Sequence, residues 1–147
     1  MIAAALVEIR TGGRSEVEGA RSLLGACRLP LGGFPEDLAA FFVATIDARI
    51  SGVVALERHA DCGLLRSLAV VPAARGRGVA GRLCDVVETR AGALGLHLFL
   101  LTETAAPFFA QRGYEPCDRR FAPAGIRASR EFAELCPASA VLMKLAR

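Results

Sequence analysis

Leu64–Arg90, LLRSLAVVPAARGRGVAGRLCDVVETR, is the stretch whose reading decides the fold. Leu64–Val71 is an apolar run broken only by Arg66 and Ser67. Pro72 ends it, because proline cannot donate to a sheet ladder. Ala73–Gly78 is a short basic loop with two glycines. From Val79 the apolar residues recur at Leu83, Val86, Val87 and Leu94, the spacing of one helix face. The stretch reads as a buried strand, a loop and an amphipathic helix.

Such a loop is suited to an anion. The free N–H groups at a helix start point outward, and the helix dipole adds about half a positive charge there. Gly76 and Gly78 permit positive φ and leave room for close approach, and Arg75 and Arg77 add mobile charge. A phosphate or pyrophosphate is the expected ligand. A P-loop is excluded, since its Gly-Lys-Ser/Thr is absent and no lysine precedes Lys144. Gly76-Arg77-Gly78-Val79-Ala80-Gly81 does match Gly-x-Gly-x-x-Gly. A dinucleotide site, however, carries that string early in a strand–helix–strand unit, with an acidic residue about twenty positions on. Here about seventy residues precede it, and the next strand ends in no acid but Glu103.

Outward from this stretch, Asp61-Cys62-Gly63 reads as a hairpin turn into the central strand. Phe41–Ile46 and Ile50–Arg58 read as two strands joined by Asp47-Ala48-Arg49. Leu6–Arg10 is a first strand, with the apolar Met1–Ala5 leading into it. Ser15 is placed to cap a helix whose face is Val17, Ala20, Leu24 and Cys27. Leu29–Pro35 is a Gly/Pro loop, and Glu36–Ala40 a short helix. Downstream, Leu96–Thr102 is a strand, and a crossover of this length makes it parallel to Leu64–Val71. Ala105–Arg112 is a helix ended by Gly113. Tyr114–Cys117 is a strand, Ile126–Leu135 a helix, and Ala138–Lys144 a last strand. The expected class is α+β, an α/β/α sandwich: a mixed, mostly antiparallel twisted sheet with a central parallel pair, flanked by helices, in one domain over residues 1–147.

Composition narrows the function. The chain has 147 residues, 53% hydrophobic and 22% charged, which suits one packed core. Its net charge is +3 and its arginines form no run, so no nucleic-acid footprint is expected. No apolar stretch is long enough to span a bilayer. The start lacks a basic n-region, so no signal peptide is expected. The five cysteines, 27, 62, 84, 117 and 136, include no Cys-x-x-Cys. They read as reduced cytoplasmic thiols, with no metal site.

The string Leu68-Ala69-Val70 with Arg75-x-x-Gly78-x-Ala80 resembles the acetyl-CoA signature of the GCN5-related N-acetyltransferase (GNAT) superfamily. The element order is similar too, over nearly the entire chain. The resemblance implies that the parallel pair splays to admit acetyl-CoA as co-substrate. Leu68, Ala69 and Val70 would meet the pantetheine arm. Arg75, Gly76, Arg77, Gly78, Val79 and Ala80 would wrap the pyrophosphate. It also implies that the Leu29–Pro35 loop covers the acceptor as a lid; an ordinary connection is the alternative.

Transfer requires an amine lone pair. An α-amine of pKa near 8 is only about one-tenth neutral at pH 7, so a base helps. Glu57 is the first candidate, acting through water, and Glu103 the second. The Val70 N–H is the implied oxyanion donor. The family's tyrosine after the fifth strand is Phe109 here, counted with the cofactor residues, and its usual asparagine is Thr102. The expected general acid is therefore missing, although a thiolate can leave without one.

Leu100–Tyr114 is similar to the acetyltransferase domain of N-acetylglutamate synthases. Ile126–Ala140 looks like the short N-acetyltransferases of arsenic-resistance gene clusters. Both imply a small amino-acid-like acceptor, such as glutamate or an analogue, whose carboxylate Arg66 would clamp beside Ser67 and Thr102, with Arg127 and Arg130 as substitutes. A protein or peptide N-acetyltransferase and a non-catalytic acyl-CoA-binding module are the alternatives. A homodimer is one assembly open to it.

Overall fold

The computed structural model describes residues 6–146. The expected lead-in Met1–Ala5 lies outside them. The chain runs β1 (Val7–Thr11), α1 (Val17–Ala26), β2 (Ala40–Ile46), β3 (Arg49–His59), β4 (Cys62–Val70), α2 (Val79–Ala93), β5 (His97–Thr102), α3 (Ala106–Gln111), β6 (Tyr114–Pro116), α4 (Ala124–Ala128) and β7 (Val141–Leu145). One seven-stranded sheet has the order β1-β2-β3-β4-β5-β7-β6. Only β4 and β5 pair in parallel; every other neighbour is antiparallel.

Two-residue periodicity divides the core. Phe42, Val54, Leu56 and Leu65 face the α2 side, where Val79, Leu83 and Val87 close over them. Phe41, Val43, Val53 and Ala55 face the other side, against Ala20 and Leu24 of α1. Farther along that face Leu64, Phe99 and Leu142 pack on Ile126 of α4. Burying each large aliphatic side chain contributes about 1.5–3 kcal/mol, so these stripes hold the helices to the sheet. The expected α/β/α layering is present.

Four local readings are corrected. Ser15 caps nothing: a 3-10 turn, Arg14–Glu16, precedes α1, and Glu16 reaches back to accept from Gly13 N–H at 2.7 Å. Glu36–Ala40 forms no helix. Ala39 N–H donates to Leu56 O at 2.8 Å and Ala40 already pairs with Leu56, so sheet pairing claims this segment. The hairpin turn before β4 is Ala60–Asp61, and Cys62 already pairs with His59. Ile126–Leu135 is two pieces. Ser129 is extended (ψ 145°) after α4, and a π-helical turn follows at Glu131–Leu135. Ser129 Oγ accepts from Phe132 N–H at 3.2 Å and donates to Ile126 O at 2.6 Å, offering the backbone a local alternative to one helix.

The central pair is splayed. β4 and β5 pair from Cys62↔His97 only as far as Leu65↔Leu100, while β4 runs on to Val70. Just past that point two residues of β4, Ser67 and Leu68, stand against Val54 alone, since Ala55 lies opposite Arg66 and Val53 opposite Ala69. Ser67 takes φ of 59°, the local strain such a bulge imposes.

Candidate active site

Two hollows open along the parted edge of β4. The larger, a cavity of about 530 Å³, is lined by Leu65–Leu68 of β4, the end of β5 through Glu103, Arg28–Pro30, and Glu131 with Cys136. The smaller, about 300 Å³, lies at the end of β4, between Val70 and the loop of Gly76 and Gly78, with Val79, Ala80 and Phe108 on its wall.

The loop takes the positive φ that its glycines permit. Gly76 (φ 81°) and Gly78 (φ 74°) are both left-handed, and Gly78 is the residue from which α2 starts. Arg75 is exposed, but its Nε donates to Val70 O at 3.1 Å, which binds the loop to the strand end. Arg77 is exposed and lines a separate groove beside Ile46. Val71 N–H donates to Ser51 O of β3 at 2.9 Å. The Val70 N–H, one residue earlier on an extended strand, points the opposite way, toward the parted edge. Leu68 and Phe109 line the larger cavity, whereas Ala69 packs toward α1.

Of the two carboxylates expected as base, Glu103 is exposed at the cavity. Glu57 is not brought there. It is 0% exposed, accepts from Arg66 Nη1 at 2.9 Å, and lies 2.7 Å from His59 Nε2, bordering a different hollow. The reason is register. Ala55 lies opposite Arg66, so Glu57, two residues on, shares the Arg66 face one diagonal away.

The arginines expected to clamp a carboxylate are engaged within the protein. Arg66 touches the cavity, but each of its nitrogens has a partner inside the protein: Nη1 Glu57, Nη2 the Gly32 carbonyl at 2.8 Å, Nε Ser67 Oγ at 3.0 Å. Arg130 Nε is held by Asp37 at 2.9 Å, and Arg127 donates to Arg120 O. The arginine that does present itself is Arg28, exposed on the cavity rim with φ of 59° and directly before the Leu29–Pro35 loop. That loop is anchored by Arg21, which donates to the Leu31 and Phe34 carbonyls, and by Arg66 on Gly32. Thr102 lines the cavity with Oγ1 occupied by Ala105 N–H at 3.0 Å.

Glu131 is another lining residue that sequence reasoning missed, besides Arg28. It is 6% exposed and lines the cavity. Burial raises its pKa, with Arg66 and a hydrogen bond from the Cys136 thiol opposing and Glu57 reinforcing the rise. The neighbouring Cys136 thiol is pushed up to about 12, by burial first and then by the Glu131 charge. Nothing in the tail sequence marks Glu131 apart from its neighbour Glu134. Among the described residues no cluster of three His, Cys, Asp or Glu side chains suits a metal ion, and no helix is long and apolar enough to cross a membrane.

Comparison with known proteins agrees with this geometry. Residues 37–116 match the family model of the acetyltransferase (GNAT) domain. The amino-acid acetyltransferase of Pseudomonas fluorescens (strain Pf0-1) is 40% identical over 96 residues, 63% of this chain and 22% of that protein. The amino-acid acetyltransferase of Ectopseudomonas mendocina (strain ymp) is 46% identical over 70 residues, 47% of this chain and 16% of that protein. The chain thus spans about a fifth of the length of the curated relatives it matches. Among solved structures, N-acetylglutamate synthase from Neisseria gonorrhoeae, complexed with coenzyme A and N-acetyl-glutamate, superposes with a TM-score of 0.81 at 24% identity, covering 99% of this chain and 36% of that one. Rv2747 from Mycobacterium tuberculosis, in a complex containing CoA, gives 0.80 at 24% identity, covering 95% and 99%.

Proposed function

The chain belongs to the GNAT acetyltransferase family, and on that premise we propose that it transfers the acetyl group of acetyl-CoA to the amine of a small amino-acid-like acceptor. One observation carries the reading: the β4–β5 ladder stops at Leu65/Leu100, and the Gly76/Gly78 loop opens at the end of the same strand. Parted backbone and an amide-rich helix start on one strand suit a long ligand with a diphosphate at one end and a thioester at the other.

In this proposal Arg75–Ala80 hold the pyrophosphate, Leu68 and Val70 present backbone groups to the pantetheine arm, and Phe109 packs beside it. The amine lone pair attacks the thioester carbonyl carbon. Negative charge on the oxygen is met by the Val70 N–H. The C–S bond then breaks, and CoA leaves as a thiolate that takes one proton from the new amide nitrogen. Arg28, rather than Arg66, meets the acceptor carboxylate, and Glu103 remains a candidate base. The acceptor class includes glutamate and its analogues, as the amino-acid acetyltransferase relatives suggest. The resistance role rests only on the resemblance of the tail. Five cysteines with no disulfide among them support a reducing, cytoplasmic setting. Residues 1–147 are taken as one functional domain.

An amine-library screen reading free CoA is the test, with amino acids, polyamines and N-terminal peptides as acceptors. Free amino acids, glutamate analogues among them, are expected to release CoA. Activity confined to peptides overturns the small-acceptor reading. Calorimetry that detects no acetyl-CoA binding overturns the whole proposal, while tight binding without turnover of any amine favours the acyl-CoA-binding module.

A further inference from the structure

Glu131 has no part in the family signature, yet it is placed like a working group. Among the described residues its Oε2 is the one buried side-chain nitrogen or oxygen without a hydrogen-bond partner. Its nearest cation, Arg66 Nε at 3.4 Å, donates to Ser67 Oγ instead. A buried acceptor left unmet costs free energy unless something outside the chain supplies a donor. Glu131 lines the cavity together with Leu68, Ser67 and Thr102. It sits in a π-helical turn closed by Cys136 N–H donating to the Glu131 carbonyl at 2.9 Å, a distortion that often marks functional positions.

We propose that Glu131 Oε2 seats the ammonium group of the acceptor and takes its first proton. This rests on the acetyl-transfer reading above. The ammonium donates an N–H to Oε2 and gives that proton to the carboxylate. The neutral amine attacks the thioester, the C–S bond breaks, and the second proton goes to the departing thiolate. Glu131 then returns its proton to water, so that acetyl-CoA and an ammonium yield an amide, CoA thiol and one proton. The groups facing Glu131 set its behaviour. Burial opposes its charged form and Glu57 adds to that, while Arg66 and a hydrogen bond from the Cys136 thiol favour it. The Cys136 thiol stands beside it, and Glu103 acts on that thiol. Burial raises the Glu131 pKa, so kcat/KM is expected to climb as pH rises through it.

Glu131→Gln tests this. The change is isosteric and leaves Arg66 paired with Glu57, so the fold should survive; acetyl-CoA binding by calorimetry, unchanged within twofold, verifies that. With the best acceptor of the screen, kcat/KM should fall about 10²- to 10⁴-fold, and the acid limb of its pH profile should vanish. Glu131→Asp, which keeps a carboxylate, should recover part of the rate and the limb. A Gln variant within threefold of wild type, or one that keeps the acid limb, overturns the inference alone. A wild type that acetylates no amine overturns it together with the proposed function.

Discussion

Among the described residues, two ion clusters, each holding a buried carboxylate, are built on one arginine each, and they are finished differently. In the first, Arg112 from the end of α3 reaches α2. Its Nη2 and Nε donate to Glu88 at 2.9 and 3.2 Å, and Nη2 also donates to Asp85. Tyr114 donates its hydroxyl to Glu88 at 3.0 Å, and burial together with the Glu88 charge pushes the phenol pKa up. One buried carboxylate has three donor bonds, and nothing is left over. In the second, Arg66 stands between two buried carboxylates, Glu57 and Glu131, and the buried Glu131 Oε2 has no hydrogen-bond donor. The first cluster clamps α3 and β6 to α2. The second has the same ingredients but leaves a buried acceptor without a hydrogen bond, on a residue that lines a cavity. A satisfied cluster is architecture; the unsatisfied oxygen marks where a ligand is expected.

Breaking each cluster should separate these roles. Arg66→Met leaves two buried carboxylates without their cation and is expected to cost about 3–5 kcal/mol, read as a lower urea midpoint; a midpoint unmoved from wild type would show that the two carboxylates do not depend on Arg66. Arg112→Leu should cost less, about 2–3 kcal/mol, because Arg112 is partly exposed and Tyr114 still serves Glu88. Its effect should appear in stability while KM for the acceptor stays put; a large KM change would mean that the clamp reaches the site. Tyr114→Phe removes one bond to a charged group and is expected to cost about 1.5 kcal/mol, with kcat unchanged. A kcat that collapses with stability intact would make Tyr114 a catalytic group after all.

The smallest effect sharpens the contrast through pH. Glu131 has a raised folded pKa, so its protonated form is favoured in the native state. The stability it confers is complete below the unfolded value of about 4.3, and is lost as pH rises through the folded pKa. The unfolding free energy of wild type minus that of Glu131→Gln should therefore decline with pH across that window. A flat difference would show that Glu131 is no more strained than a surface carboxylate.

Part of this was legible in the chain. Helix α2 and its loop follow from Pro72, Gly76, Gly78 and the Val79/Leu83/Val87 spacing, all within one stretch. The end of α2 is closed in the structure by Gly95 at φ 68°, with Leu96 N–H donating to the Ala91 carbonyl at 2.9 Å, a stop that the reading of the stretch did not include. The Ile126–Leu135 helix was misread because a single serine hydroxyl, at Ser129, competes for the backbone there. Glu57 was placed near the right strand but assigned the wrong surroundings. Its neighbours His59 and Arg66 depend on the β3–β4 register, which a bulge at Ser67–Leu68 shifts. Arg28 was passed over because a lone basic residue before a Gly/Pro loop looks like any solvated charge.

By itself, then, the amino-acid order determined the strand, the anion loop and the helix behind it, since backbone preference and apolar spacing act between near neighbours. Only the tertiary structure decided which carboxylate would be left with an unmet oxygen. Residues 57, 66 and 131 meet through sheet pairing and the packing of a distorted turn, and whether three such groups balance one another depends on distances that no local pattern encodes.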